Sequence, residues 1–205
     1  YVIDMKIRVS NYIDTMFAKY APAPFLSVLI DDCIARGKDY YNAGPRYNTN
    51  YIQCCGLGTV SDSLLALKKH IYEDSRFGMD EVLSAVVKNF EGQEVMRQII
   101  LNKTPFYGNN LDYADAVAVK VYDDLVDLSD GQPNIKGGQF HLNMRSTTCH
   151  VDFGKVMGAT PNGRLAHKSI SDGTSPTHGA DQRGPSAVVK SLAKLDQTKS
   201  GGTLL

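Results

Sequence analysis

The chain has 205 residues, 42% of them hydrophobic, enough to build one large domain or two small ones around a real core. Its 22 basic and 22 acidic residues cancel, which removes the broad positive field that nucleic acid needs and the polybasic stretch that anionic lipid needs. No apolar run approaches the roughly 18 residues that cross a bilayer, and the first residues lack the order of a secretory signal, so the sequence reads as cytoplasmic with a small molecule as its partner. Four cysteines are too few for a disulfide scaffold, and Cys33, Cys54, Cys55 and Cys149 are expected as reduced thiols.

The chain opens on Tyr1, inside a segment already patterned as a helix, with Ile7, Tyr12, Ile13, Met16 and Phe17 at three- and four-residue steps. Pro22 and Pro24 break it, and FLSVLIDDCIARG predicts a second helix stopped by Gly37. YNAGPRYNTNYIQCCGLG reads as a loop and a short extended run, with a strand around 51–55. TVSDSLLALKKHIYED then restarts a helix with Ser61 as N-cap and Leu64, Leu67 or Lys68, and Ile71 on one face. Three more helices come next in MDEVLSAVVKNF, QEVMRQIILNK and DYADAVAVKVYDDLVDL, the last with Ala114, Val117, Val121, Leu125 and Leu128 as its apolar stripe.

After Gly131 and Pro133 the period changes to two. Phe140, Leu142 and Met144 alternate with His141, Asn143 and Arg145, which predicts a strand around 139–146. GATPNGRLAHKSISDGTSP reads as a long loop built on turns at Pro161-Asn162-Gly163 and around Gly173, GPSAVVKSLAKL as a helix with Pro185 in its first turn, and Thr203 to Leu205 as the start of a strand. Strands separated by helices argue for a helix-rich α/β fold with parallel strands, and no linker or repeat divides residues 1–205, which read as one partial domain.

The chemistry-bearing residues are few. Vicinal Cys54 and Cys55 admit a redox or thiyl reading, but small core residues are the better expectation, about three to one. His141, Cys149 and His150 lack a second pair at metal-finger spacing, so no metal site is expected. Gly56-Leu57-Gly58 has Ser61 where a dinucleotide fingerprint needs its third glycine. For Arg164, Asp172 and His178 the expected role is to hold the loop together. Thr147 and Thr148 end the alternating strand, where α/β folds build their sites; their hydroxyls are either substrate contacts or turn formers, with even odds from position alone.

The run GATPNGRLAHKSISDGTSPTHGADQRGPSAVVKSLAKLD resembles the segment that glycyl radical enzymes carry ahead of their radical domain, and GPRYNTNYIQCCGLGTVSDSLLALKKHIYED resembles their preceding block. LNKTPFYGNNLDYAD and DGQPNIKGGQFHLNMRSTTCHVDFG extend the similarity over nearly the whole chain, and NMRSTTCH points to the dehydratase branch that includes the hydroxyproline enzymes. The resemblance implies part of a ten-stranded α/β barrel from a longer protein. It implies radical elimination of water from a small hydroxylated substrate such as hydroxyproline, with Thr147 and Thr148 lining the pocket. It also implies a protein glycyl radical installed by a radical-SAM activating enzyme, and a homodimer when complete. The 205 residues contain neither a Gly-Cys-x-Glu loop nor an Arg-Val-x-Gly-Tyr loop, so no catalytic residue is assigned and the chain alone is expected to be inert. A formate C-acetyltransferase-like or glycerol/diol dehydratase-like member is the alternative within the family, and a non-catalytic barrel-derived binding or assembly module the alternative of another class.

Overall fold

The structure, a computed structural model, describes residues 1–202; the strand expected at Thr203 to Leu205 lies outside them. The chain divides into two compact units, Tyr1–Ile52 with Leu125–Asn143, and Gln53–Asp124 with Met144–Leu205.

In the first unit, α1 (Val2–Tyr20) ends where Ala21 leaves helical geometry ahead of Pro22 and Pro24. Its apolar residues keep the expected period, yet none is buried: Ile13, Met16 and Phe17 keep 39–43% of their surface exposed. The single helix expected next is two short ones, α2 (Pro24–Ser27) and α3 (Asp31–Arg36). Ile30 is extended between them, and Asp31 and Asp32 restart the helix by placing negative charge at its N-terminus. Gly37 closes α3 at φ 61°, as its sequence position predicts. Asp39 ties this corner together, accepting hydrogen bonds from Ala23 N, Ser27 Oγ and Tyr41 N at 2.8–2.9 Å.

Strands β1 (Asn50–Gln53) and β2 (Phe140–Asn143) form a two-stranded sheet. Both are shorter than expected, because Cys54 and Cys55 lie beyond β1 and residues 144–148 lie beyond β2. The alternation holds: Phe140, Leu142 and Met144 are buried, while His141 and Asn143 are half-exposed. Asn134 fastens the approach to β2, donating to Asn48 O (2.5 Å) and accepting from Lys136 N and Gly138 N.

The second unit is mostly helical. Helix α4 (Leu57–Leu67) starts four residues before the expected cap: Gly56 is its N-cap, and Ser61 is a buried interior residue. Its buried face is Leu57, Leu65 and Ala66, and the expected Leu64 remains 44% exposed. A π-helical turn (Lys68–Glu73) continues it and buries His70. Helices α5 (Met79–Val87) and α6 (Glu94–Lys103) supply Val82, Ala85, Met96 and Ile100 to a core shared with Ala66, Phe90 and Phe106. In α7 (Asp112–Ser129) the buried stripe is Ala114, Ala118, Tyr122 and Val126, one residue out of phase with the expected one after Ala114. Ala118 packs with Tyr107, Val188 and Leu192, where a small side chain admits the tyrosine. Helix α8 (Cys149–Val156) begins after Thr148 in a stretch where the sequence pattern predicts no helix, and α9 (Pro185–Leu192) begins on the proline, as expected.

Asp62 in α4 is fully buried, with Oδ1 accepting from Tyr107 N at 2.8 Å. Oδ2 has no hydrogen bond, and Thr177 Oγ1 lies beside it short of bonding geometry. Desolvation dominates, and the carboxyl is pushed up to about 7. The native protein therefore holds a proton that the unfolded chain releases near pH 4, so this group costs stability as pH rises from about 4 to about 7, on the order of 4 kcal/mol in full. Asp62→Asn is expected to match the parent at pH 4 and to exceed it progressively up to pH 8. Paired thermal melts across that range check it; parallel curves would place the titration elsewhere.

Candidate functional site

The turn after β2 is fixed at Ser146 and Cys149. Ser146 is buried, its Oγ accepting from Gly173 N at 2.9 Å, and its carbonyl receives both Cys149 N (3.0 Å) and Cys149 Sγ (2.8 Å). Held at both sides, the chain turns through Thr147 and Thr148 into α8. Thr147 stands at φ 48°, in the left-handed region where a β-branched residue is strained, and Thr148 precedes α8 without capping it through its side chain. Both residues are exposed, and neither hydroxyl has a hydrogen-bond partner among the described residues. Such strain at a β-branched residue persists only where the surroundings over-determine it, which makes the turn a candidate site.

The cysteines gather beside this turn. Gln53 Nε2 donates to Arg145 O (2.6 Å) and reaches Cys149 Sγ at 3.5 Å, while the Cys55 thiol lies close enough to that of Cys149 to feel its charge. Burial and then the Cys149 sulfur push the Cys55 thiol up to about 12, and burial raises Cys54 as well. Neither has the lowered pKa of an activated thiolate, because burial favours the neutral thiol of both. Their proximity to Cys149, 94 residues on from Cys55, carried no signal in the sequence spacing. His141 pairs through Nδ1 with Asp130 in the first unit, and among the described residues no group of three or more His, Cys, Asp or Glu is placed to hold a metal ion.

The loop at 158–176 explains its own composition. Arg164 is buried, and its guanidinium donates to Gly158 O, Lys168 O (2.5 Å), Leu165 O (3.2 Å) and Thr160 Oγ1 (3.2 Å). Asn162 Oδ1 accepts from Thr160 Oγ1 (2.6 Å), and Gly163 N closes the expected turn onto Thr160 O at 3.0 Å. Further on, Ser171 exchanges hydrogen bonds with Thr59, from Thr59 N to Oγ at 3.0 Å and from Ser171 N to Thr59 Oγ1 at 2.9 Å, and Gly56 N donates to Ser171 O. Gly58 then packs directly against the 175–177 backbone, where a Cβ would lie 2.6 Å from Ser175 O. The Gly-Leu-Gly run is thus a close-packing device. Asp172 closes the second expected turn, its carbonyl accepting from Ser175 N at 2.9 Å, while His178 Nδ1 meets Ser169 Oγ at 3.1 Å. Arg164 thus holds the loop through side-chain-to-backbone bonds, as expected, while Asp172 does so through its carbonyl.

The helix-rich α/β fold is one that known enzymes share. The family model for pyruvate formate lyase-like proteins matches residues 1–154, and the chain belongs to that family. It is 47% identical over all 205 residues to trans-4-hydroxy-L-proline dehydratase of Clostridioides difficile, covering 26% of that protein, and 40% identical over 88% of its length to isethionate sulfite-lyase of Oleidesulfovibrio alaskensis, covering 22% of it. Among solved structures, the C. difficile hydroxyproline dehydratase with trans-4-hydroxy-L-proline bound superposes with a TM-score of 0.95 at 47% identity, over the whole chain and 26% of that structure. The glycerol-bound B12-independent glycerol dehydratase of Clostridium butyricum gives 0.92 at 32% identity, over 98% of the chain and 26% of that structure. The chain thus spans about a quarter of the length of these relatives, and its fold is that of part of a glycyl radical enzyme α/β barrel.

Proposed function

We propose that this chain is part of a glycyl radical dehydratase that removes water from a small hydroxylated substrate, with hydroxyproline the first choice. The observation that carries the reading is the strained, exposed Thr147–Thr148 turn with its two free hydroxyls, in a chain 47% identical to a hydroxyproline dehydratase. In this reading residues 1–205 are one part of a barrel domain, and Thr147 and Thr148 hydrogen-bond the substrate's polar groups so that the carbon to be activated is held in one orientation. A protein glycyl radical, installed by a radical-SAM activating enzyme, supplies the hydrogen-atom abstraction from elsewhere in a complete, cytoplasmic homodimer. With neither radical loop in its sequence, the chain alone is inert. The exposed stripe of α1 packs against the remainder of the barrel in this arrangement, so the isolated chain is prone to aggregate.

The test is anaerobic activation of the complete protein with its activating enzyme, S-adenosylmethionine and a reductant, followed by incubation with trans-4-hydroxy-L-proline, glycerol, propane-1,2-diol and isethionate. A glycyl-type electron paramagnetic resonance doublet and dehydration of hydroxyproline are expected. Release of sulfite from isethionate in place of dehydration would move the enzyme to the carbon–sulfur branch, and a doublet from the 205-residue chain alone would overturn its assigned inertness.

The thiols give a further expectation. Cys54 and Cys55 are held protonated by burial and lie outside any glutamate-containing cysteine loop. A Cys54→Ala, Cys55→Val double variant of the complete protein should form the radical and keep turnover within a few-fold of the parent, because both changes conserve small apolar volume. A folded variant that carries the radical and turns nothing over would place the relay thiol here.

A further inference from the structure

The second unit contains a cleft of roughly 510 Å³, between α6 and the segments 162–169 and 177–182, to which none of Thr147, Thr148 or the cysteines contributes. Its wall carries Arg97, Arg164, Lys168 and His178 and no aspartate or glutamate. Three of these side chains are permanent cations, and the way each is compensated decides what the cleft can hold.

Arg164 is the deepest. Its guanidinium is surrounded by three carbonyls and one hydroxyl, with no carboxylate bound to it among the described residues. Burial depresses its pKa, the sign of a cation without a counter-ion. A buried charge satisfied only by dipoles keeps its field, and that field acts in the adjoining cleft. Arg97 spends Nε on Gly163 O (2.9 Å) and Nη1 on Glu94 Oε1 (3.3 Å), a carboxylate whose side chain is 64% exposed and does not line the cleft. Its Nη2 has no partner among the described residues. Lys168, exposed at the mouth, makes no ion pair among the described residues. The remaining wall mixes amides such as Gln182 with the apolar Leu101 and Phe106, so an anionic head and an apolar or planar body would both be accommodated.

We propose that this cleft is a binding site for a small phosphate-bearing molecule, its phosphate facing Arg97 Nη2 and Lys168 over the field of Arg164. A dianionic head suits two cations without a carboxylate partner, beside a third paired only with the exposed Glu94, better than a single carboxylate does, and a guanidinium fork beside an ammonium is a common way of holding phosphate. The site is separate from the strand-end turn and does not depend on the dehydratase reading.

Titrating the complete protein with pyrophosphate at fixed ionic strength, by calorimetry, tests it, with citrate as the carboxylate comparison. Saturable pyrophosphate binding is expected, weakened at least tenfold in Lys168→Met and unchanged in Lys155→Met, an exposed lysine outside the cleft that loses the same charge. Lys168 is exposed and unpaired, so its replacement leaves the fold intact. No saturable binding, or equal weakening in both variants, would overturn the site; citrate binding as tightly as pyrophosphate would overturn the phosphate assignment.

Discussion

Replacing Thr147 with glycine will make the protein more stable and a worse catalyst. The threonine stands at φ 48°, where a β-branched residue loses on the order of 1–2 kcal/mol that glycine does not. Its hydroxyl has no partner among the described residues to offset that cost. If the residue only shaped the turn, glycine would improve stability and leave turnover alone. If the hydroxyl holds substrate, the substrate group it faced is left unpaired, which costs about 1–3 kcal/mol in the transition state, or about ten- to a hundredfold in kcat/KM. Thr147→Val and Thr148→Val separate the two effects, since valine keeps the shape and the strain while deleting only the hydroxyl. Melting temperature and anaerobic kinetics of the activated complete protein check this. A more stable Thr147→Gly variant with full activity, alongside an unimpaired Thr147→Val/Thr148→Val double variant, would leave the turn a purely structural role.

Arg164→Met should be among the most destabilising single changes in the second unit. It removes four hydrogen bonds and strands the carbonyls of Gly158 and Lys168, both of which the guanidinium satisfies by side-chain donation. A loss of about 3 kcal/mol or more is expected, with the segment 158–176 becoming the first site of proteolysis. Arg164→Lys should rescue little. A lysine keeps the charge but presents one compact ammonium where the arginine reaches acceptors on several sides in one plane. Limited proteolysis and melting of both variants decide it; a lysine variant as stable as the parent would show that charge, and not the planar fork, holds the loop.

How far the sequence could be read depended on what each position had to do. Where periodicity alone decided, as in the alternation of Phe140, Leu142 and Met144, or where a residue's own backbone preference decided, as at Gly37, Gly163 and Pro185, the expectation and the structure agree. The register of α7 did not, because large apolar side chains drew the stripe to Val117 and Val121, while the true contact uses Ala118 to admit Tyr107. The same bias misplaced the face of α4 and its start, since Gly56 and Gly58 act there through backbone approach to residues more than a hundred positions away. Helix α8 was missed because it carries no local start or stop signal: Thr148 does not cap it through its side chain and Met157 ends it in extended geometry. At the candidate site, the alternation was legible but its end was not, since β2 stops at Asn143 and Thr147 and Thr148 stand in the turn beyond it. The left-handed geometry of Thr147, the grouping of Cys55 with Cys149 and the uncompensated charge of Arg164 are products of tertiary contacts that no local pattern encodes.

The most direct measurement is a crystal structure of the complete protein with trans-4-hydroxy-L-proline bound. Substrate polar atoms within about 3 Å of the Thr147 or Thr148 hydroxyl are expected. A substrate held elsewhere in the barrel, with both hydroxyls facing solvent or paired only to protein, would contradict the assignment of this turn as the substrate wall.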